Sequence, residues 1–176
     1  MELVRGDWRT YTQDLSNPLV PPKSDGQIVV SSVNIEENGQ RQPVNYVLPP
    51  GISRMFDSSQ PQLLQHNEQA LSMKITDLSP ADARAVYKST AYYLRRYKRL
   101  QMFAHAEAPI DESKTLSNGD FSVFIRLGSD YKNNYYEYEV PLDLTPHSTI
   151  LYNTNNSADQ EKVWPLNNTL NFKLET

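Results

Sequence analysis

The 176-residue chain contains no cysteine, which excludes a thiol nucleophile, a thiolate zinc site and any disulfide framework. The redox compartment stays open, because an absent thiol fits either side of a membrane. Long apolar runs are missing as well: the longest hold three or four residues, such as Ile28 to Val30, and the mean hydropathy is −0.64. No helix drawn from this sequence spans a bilayer. The opening MELVRGDWRTYTQDL lacks an apolar h-region and carries Glu2, Arg5 and Asp7, so it is not a secretory signal. The chain therefore reads as cytoplasmic or as a piece of a longer one. A basic surplus is also absent: 17 Lys and Arg against 21 Asp and Glu give a net charge of −4 and a pI near 5.4. That balance argues against a general polyanion binder and sets nucleic acid aside as a partner. No GxSxG, GxxxxGK or GxGxxG occurs, so nucleophilic and nucleotide-dependent chemistry have no motif behind them.

What is present leans towards strands with long loops: 12 prolines, 11 tyrosines and few stretches that keep helical spacing over three turns. The length suits one domain with one core. Residues 1–23 end in SNPLVPPK, where Pro18, Pro21 and Pro22 forbid helix, so an extended arm is expected, with Trp8, Tyr11, Leu15 and Leu19 packed on the body. Residues 24–176 are expected to form a single β-sandwich domain. Strands are predicted over Gln27 to Ile35, Leu71 to Ile75, Arg99 to Ala106, Phe121 to Leu127 and Tyr135 to Leu142, each alternating or rich in β-branched residues. Asn38-Gly39 predicts a hairpin turn. Ser79-Pro80-Ala81-Asp82 predicts a short helix from Pro80 to Tyr87. Tyr152 to Gln160 reads as a polar loop, after which Lys162 to Pro165 and Leu170 to Leu174 return to the sheet. The pattern as a whole predicts an all-β fold, an antiparallel β-sandwich of jelly-roll type with one or two short helices.

Four groups of residues could carry chemistry. His105 and Glu107 share a strand face and could reach one metal, but no third ligand sits at a tight spacing, so the expected role is a histidine hydrogen-bonded to its carboxylate neighbour, with no metal and no cofactor. Glu137 and Glu139, about 7 Å apart by strand geometry, are the pair a glycosidase would need, and on a wet strand face such acids are most often only solvated. Lys88, Arg95, Arg96, Lys98 and Arg99, interleaved with Tyr92, Tyr93 and Tyr97, have the form of a single-strand nucleic-acid platform; in an acidic chain they are expected instead to form a salt-bridging connection. Between Gly128 and Glu139, GSDYKNNYYEYE concentrates Tyr131, Asn133, Asn134, Tyr135 and Glu137, a mixture suited to stacking on a sugar ring or gripping a protein. Alternation there predicts buried Tyr136 and Tyr138 and exposed Tyr131 and Tyr135.

In order along the chain, ELVRGDWRTY (Glu2 to Tyr11), VNIEENGQRQPVNYVLPPGISR (Val33 to Arg54), NEQALSMKITDLSPADARAVYK (Asn67 to Lys88), YKRLQMFAHAEA (Tyr97 to Ala108), FIRLGSDYKNNYYEYEVPL (Phe124 to Leu142) and VWP (Val163 to Pro165) cover most of the sequence. Together they resemble the SprA/Sov family, the outer-membrane translocon of the type IX secretion system, which is also required for gliding motility. The resemblance implies a fragment of a much larger exported chain, lying outside the lipid beside a giant β-barrel pore in the outer membrane or at the cell surface. It implies partners among the secretion machinery or its cargo and carries no catalytic residue onto any position here. The competing readings are a glycan-binding jelly-roll module and a carboxylate hydrolase using Glu137 and Glu139.

Overall fold

The structure, a computed structural model, describes residues 8–11, 15, 25–56, 65–90, 93–110 and 115–174. In chain order these form β1 (Arg9–Tyr11), β2 (Gln27–Asn34), the single helical turn α1 (Ile35–Asn38), β3 (Gln69–Thr76), β4 (Ala85–Tyr87), β5 (Arg99–Met102), β6 (Ser122–Gly128), β7 (Tyr135–Pro141), α2 (Ser157–Val163) and β8 (Leu170–Lys173). Every strand pairing among the described residues is antiparallel, so the chain is all-β, as its alternation predicts. Among the described residues the strands join two by two, β1 with β4, β2 with β3, β5 with β8 and β6 with β7. No ladder joins one of these ribbons to another among the described residues.

Two ribbons are long. In β2–β3 the register runs from Gln27↔Thr76 to Asn34↔Gln69, and in β6–β7 from Ser122↔Pro141 to Gly128↔Tyr135. β2–β3 sets Ile28 beside Ile75 and Val30 beside Met73, yet Met73 and Ile75 are exposed. Of the half-buried row predicted for Leu71, Met73 and Ile75, only Leu71 is half-buried; Met73 and Ile75 face solvent among the described residues.

The core lies elsewhere, in chain without regular pairing. Val44, Tyr46, Val47, Val163 and Trp164 are buried together, with Val33, Ile35, Leu48, Ala70, Phe103 and Tyr152 packed around them. A buried segment outside a ladder must still satisfy its peptide groups. Here side-chain amides stand in for a neighbouring strand. Asn45 accepts the N–H of Tyr152 at 2.8 Å and donates to its carbonyl at 2.9 Å. Asn168 does the same for Asp143, at 2.7 and 2.9 Å. The N–H of Leu48 goes to Thr154 Oγ1 and that of Leu144 to Asn118 Oδ1.

Several local expectations are corrected. Asn38-Gly39 does not turn a hairpin: Asn34 Oδ1 caps Glu37 N–H at 2.8 Å and starts α1, and β2 finds its partner in β3 far along the sequence. The helix predicted from Pro80 to Tyr87 is absent. Ala81 adopts φ 64°, Asp82 N–H closes a turn onto Ser79, and Ala85–Tyr87 pairs with β1; a left-handed residue in the first turn stops helix growth, and Val86 suits a strand. The strand predicted over Arg99 to Ala106 ends at Met102, opposite Leu170, because Phe103 and His105 then turn in against Trp164. The loop predicted over Tyr152 to Gln160 contains the start of α2, where Asn156 Oδ1 caps Ala158 N–H. Lys162 to Pro165 ends that helix and enters the core, while Leu170–Lys173 joins a strand as predicted. Of the N-terminal arm, β1 pairs with β4 and Leu15 is buried; Leu19 lies outside the described residues.

Candidate functional site

The β6–β7 hairpin tip holds the predicted contact residues, and Arg126 organises it. The register sets Arg126 opposite Glu137, and Arg126 Nε donates to Glu137 Oε2 in a short ion pair. Its Nη1 donates to the Tyr131 carbonyl at 2.9 Å. The guanidinium lies 4.3 Å from the Tyr135 ring centre and 5.2 Å from that of Phe124, so the charge is sandwiched as well as paired. The turn itself is tied by Asp130. Its Oδ1 accepts N–H groups from Lys132 at 2.8 Å and Asn133 at 2.6 Å, and its Oδ2 accepts from Asn134 Nδ2 at 2.7 Å. These bonds, the Asn133 N–H first, favour the charged form and bring the Asp130 carboxyl down to about 2.

The site residues thus divide. Tyr131 is half-buried, its ring centre 5.0 Å from that of Tyr87 with the planes tilted by 54°; Tyr135 lies under Arg126; Glu137 is held by Arg126. Asn133 and Asn134 are exposed. The predicted exposure fails at Tyr136, which is 83 % exposed, and Tyr131 and Tyr135 are half-buried where exposure was expected, while Tyr138 lies half-buried against Phe172 with ring centres 4.8 Å apart. Alternation placed Tyr136 on the face of Tyr138 and Val140 correctly, opposite Leu127, but among the described residues that face is left open at the hairpin end. Sequence reasoning missed Arg126 and Asp130. The available signal was an arginine inside the apolar FSVFIRL facing the acids of YYEYEV. Around Tyr136 lies a recess of about 530 Å³, lined by Gly128, Ser129, Asn133, Asn134, Tyr135 and Tyr136.

Glu137 and Glu139 are both engaged, the first by Arg126 and the second as acceptor of the Ser122 hydroxyl. His105 Nδ1 meets the Val163 carbonyl at 2.8 Å and Thr145 Oγ1 at 3.0 Å, while Nε2 lies 3.5 Å from Glu107 Oε2, the predicted neighbour pairing. Arg41 Nη2 reaches Glu107 Oε1 at 2.6 Å. Burial pushes the Glu107 carboxyl up, but hydrogen bonds from His105 and Arg41 and the Arg41 charge together outweigh it and hold it below the usual range. Among the described residues no group of three or more His, Asp or Glu is placed to hold a metal ion.

The basic segment behaves differently from its expectation. Leu94–Arg96 is a short 3₁₀ turn, Arg96 lies 5.5 Å over the Tyr93 ring, and Tyr93 and Tyr97 are both exposed. Among the described residues no carboxylate forms an ion pair with Arg95, Arg96, Lys98 or Arg99, so the salt-bridging connection does not form at these four; Tyr92 lies outside the described residues.

Fold and site together define an all-β protein of antiparallel ribbons and an irregular, amide-tied core, with a hydrogen-bonded hairpin tip at its surface. Over residues 1–176 the chain matches the family described as motility related/secretion protein, and it belongs to that family, SprA/Sov. No protein of curated function matches it. The family sets its work in secretion and motility, at the cell envelope. Among the described residues no helix is long and apolar enough to cross a membrane.

Proposed function

We propose that this chain is a non-enzymatic, extramembrane part of the outer-membrane translocon of the type IX secretion system. It acts in protein export and gliding motility by scaffolding and by holding proteins of the machinery or its cargo. The observation that carries this reading is the family match across the whole chain. The use of the candidate acids supports it: Glu107, Glu137 and Glu139 are each spent on holding neighbouring segments. A tip tied by Arg126 and Asp130 that presents Tyr136 beside Asn133 and Asn134 suits an interface anchor, because a ring on a hydrogen-bonded turn has less freedom to lose on binding. The test is deletion of this segment from the parent protein of a gliding host that secretes by the type IX route, with the truncated parent verified in the outer membrane. Cargo is expected to accumulate inside the cell and spreading to stop. Continued export and gliding refute the reading. Separately, Glu137→Gln with Glu139→Gln is expected to leave export intact, and a loss of export from a folded double variant would refute the non-enzymatic role.

A glycan-binding module is the second reading, favoured by the recess beside Tyr136 and its two asparagines. A glycan array read at millimolar concentration tests it, and no binding ends it.

A further inference from the structure

The whole-chain charge hides a local segregation. Arg54, Arg126 and Lys162 each sit against a carboxylate, as does Arg41 on Glu107. Around the Tyr93–Arg99 turn the pattern inverts. Arg95, Arg96, Lys98 and Arg99 are exposed, and β8 adds a fifth cation, since Lys173 lies directly opposite Arg99 and Leu174 N–H bonds the Lys98 carbonyl at 2.9 Å. Like charges directly opposite on a ribbon are destabilising, and among the described residues no acid relieves this pair although the chain has 21 to draw on. Folding alone gives no reason to gather these charges.

We propose that the Tyr93–Arg99 turn, with Lys173, is a docking surface for a layer of anionic phospholipid headgroups. Three of the five cations are arginines, whose planar fork matches phosphate oxygens. Tyr93 and Tyr97 flank them, 61 % and 58 % exposed, and a phenol ring with its polar tip suits the boundary between headgroups and acyl chains. The patch is one turn and one strand end, far smaller than the roughly 20–30 residues a side of a stable protein interface. Without these five, 12 basic residues face 21 acids, so an anionic layer repels the rest of the chain and orients this edge towards it.

The test uses the 176-residue chain in flotation with phosphatidylglycerol vesicles and with phosphatidylcholine vesicles. Binding is expected to the first only and to weaken with salt. Each neutralised cation is expected to reduce partitioning about five-fold, so Arg95→Gln, Arg96→Gln, Arg99→Gln and Lys173→Gln combined reduce it by two to three orders of magnitude. The same combination should leave circular dichroism unchanged, because all four side chains are exposed. Lys162→Gln, in the pair with Asp159, should bind like the wild type. The proposal is overturned if phosphatidylglycerol vesicles are not bound or if the fourfold variant binds them equally. It is also overturned if polyglutamate is captured through these residues while vesicles are ignored, which would make the occupant an acidic protein. Displacement from vesicles by inorganic phosphate, beyond that by chloride at matched ionic strength, would indicate a phosphate-ion site and overturn it too. None of these outcomes depends on the export role.

Discussion

Trp164→Phe probes the joint on which the core depends. The indole is 7 % exposed, and its Nε1–H donates at 2.9 Å to the carbonyl of Val47, a fully buried residue. Its ring meets Tyr46, His105 and Phe103 edge-on, with centres 6.1, 5.8 and 6.4 Å away. Phenylalanine keeps part of these contacts and removes the donor. A buried carbonyl left without its partner costs about 1–3 kcal/mol. The smaller ring leaves a void worth roughly a further 1 kcal/mol at about 24 cal/mol per Å³. The expected loss is therefore about 2–4 kcal/mol, a large part of the roughly 5–15 kcal/mol that holds a domain folded. For a chain of this size it lowers Tm by roughly 5–15 °C. Urea titration followed by far-UV circular dichroism measures it, with the midpoint shifting and the slope unchanged. A loss below about 1 kcal/mol would refute the reasoning, because it would mean that water reaches the Val47 carbonyl and that the core is not closed there.

Asn168→Ala removes both bonds to the Asp143 backbone and is expected to cost about 2–4 kcal/mol, with faster hydrogen exchange at the Asp143 amide as the local check. Glu107→Gln should flatten the acid limb of stability. The folded carboxyl lies below its ordinary 4.5, so the native state binds fewer protons than the unfolded chain and the contribution, present above pH 4.5, is lost as pH falls through the folded value. Urea midpoints measured downwards from pH 6 should fall steeply in the wild type and less in the variant; equal slopes would remove Glu107 as the cause. Gly128→Ala directs a Cβ into the Asn134 carbonyl and Tyr135 backbone, so the hairpin tip must shift at a cost of about 1–3 kcal/mol, visible as changed amide shifts at Ser129 and Asn134.

The long ribbons were readable because alternation is a local property. QIVVSSVN, FSVFIRL and YYEYEVPL each name a face without knowledge of the partner, and all three fall within a residue of the observed strands. Reading failed where a distant partner decided. Ala85–Tyr87 sits behind plausible helix-start residues, and its strand exists only because Arg9–Tyr11 pairs with it. The α2 helix lies in a polar tract with only Val163 buried, so no apolar helical spacing announces it. At the candidate site the residue types were visible and their roles were not. Tyr131, Tyr135 and Glu137 were marked as contacts, yet each is engaged by Arg126 through a register that a single strand cannot reveal.

By itself the sequence determined the all-β class, the absence of thiol chemistry and the family, because composition, period-two alternation and ordered phrases are properties of the chain before it folds. Only the tertiary structure decided where the core lies, which tyrosine faces solvent and which charges stay unpaired. Those depend on groups a hundred residues apart, such as Trp164 on Val47 and Asn45 on Tyr152, and burial and pairing are relations in space that local pattern does not encode.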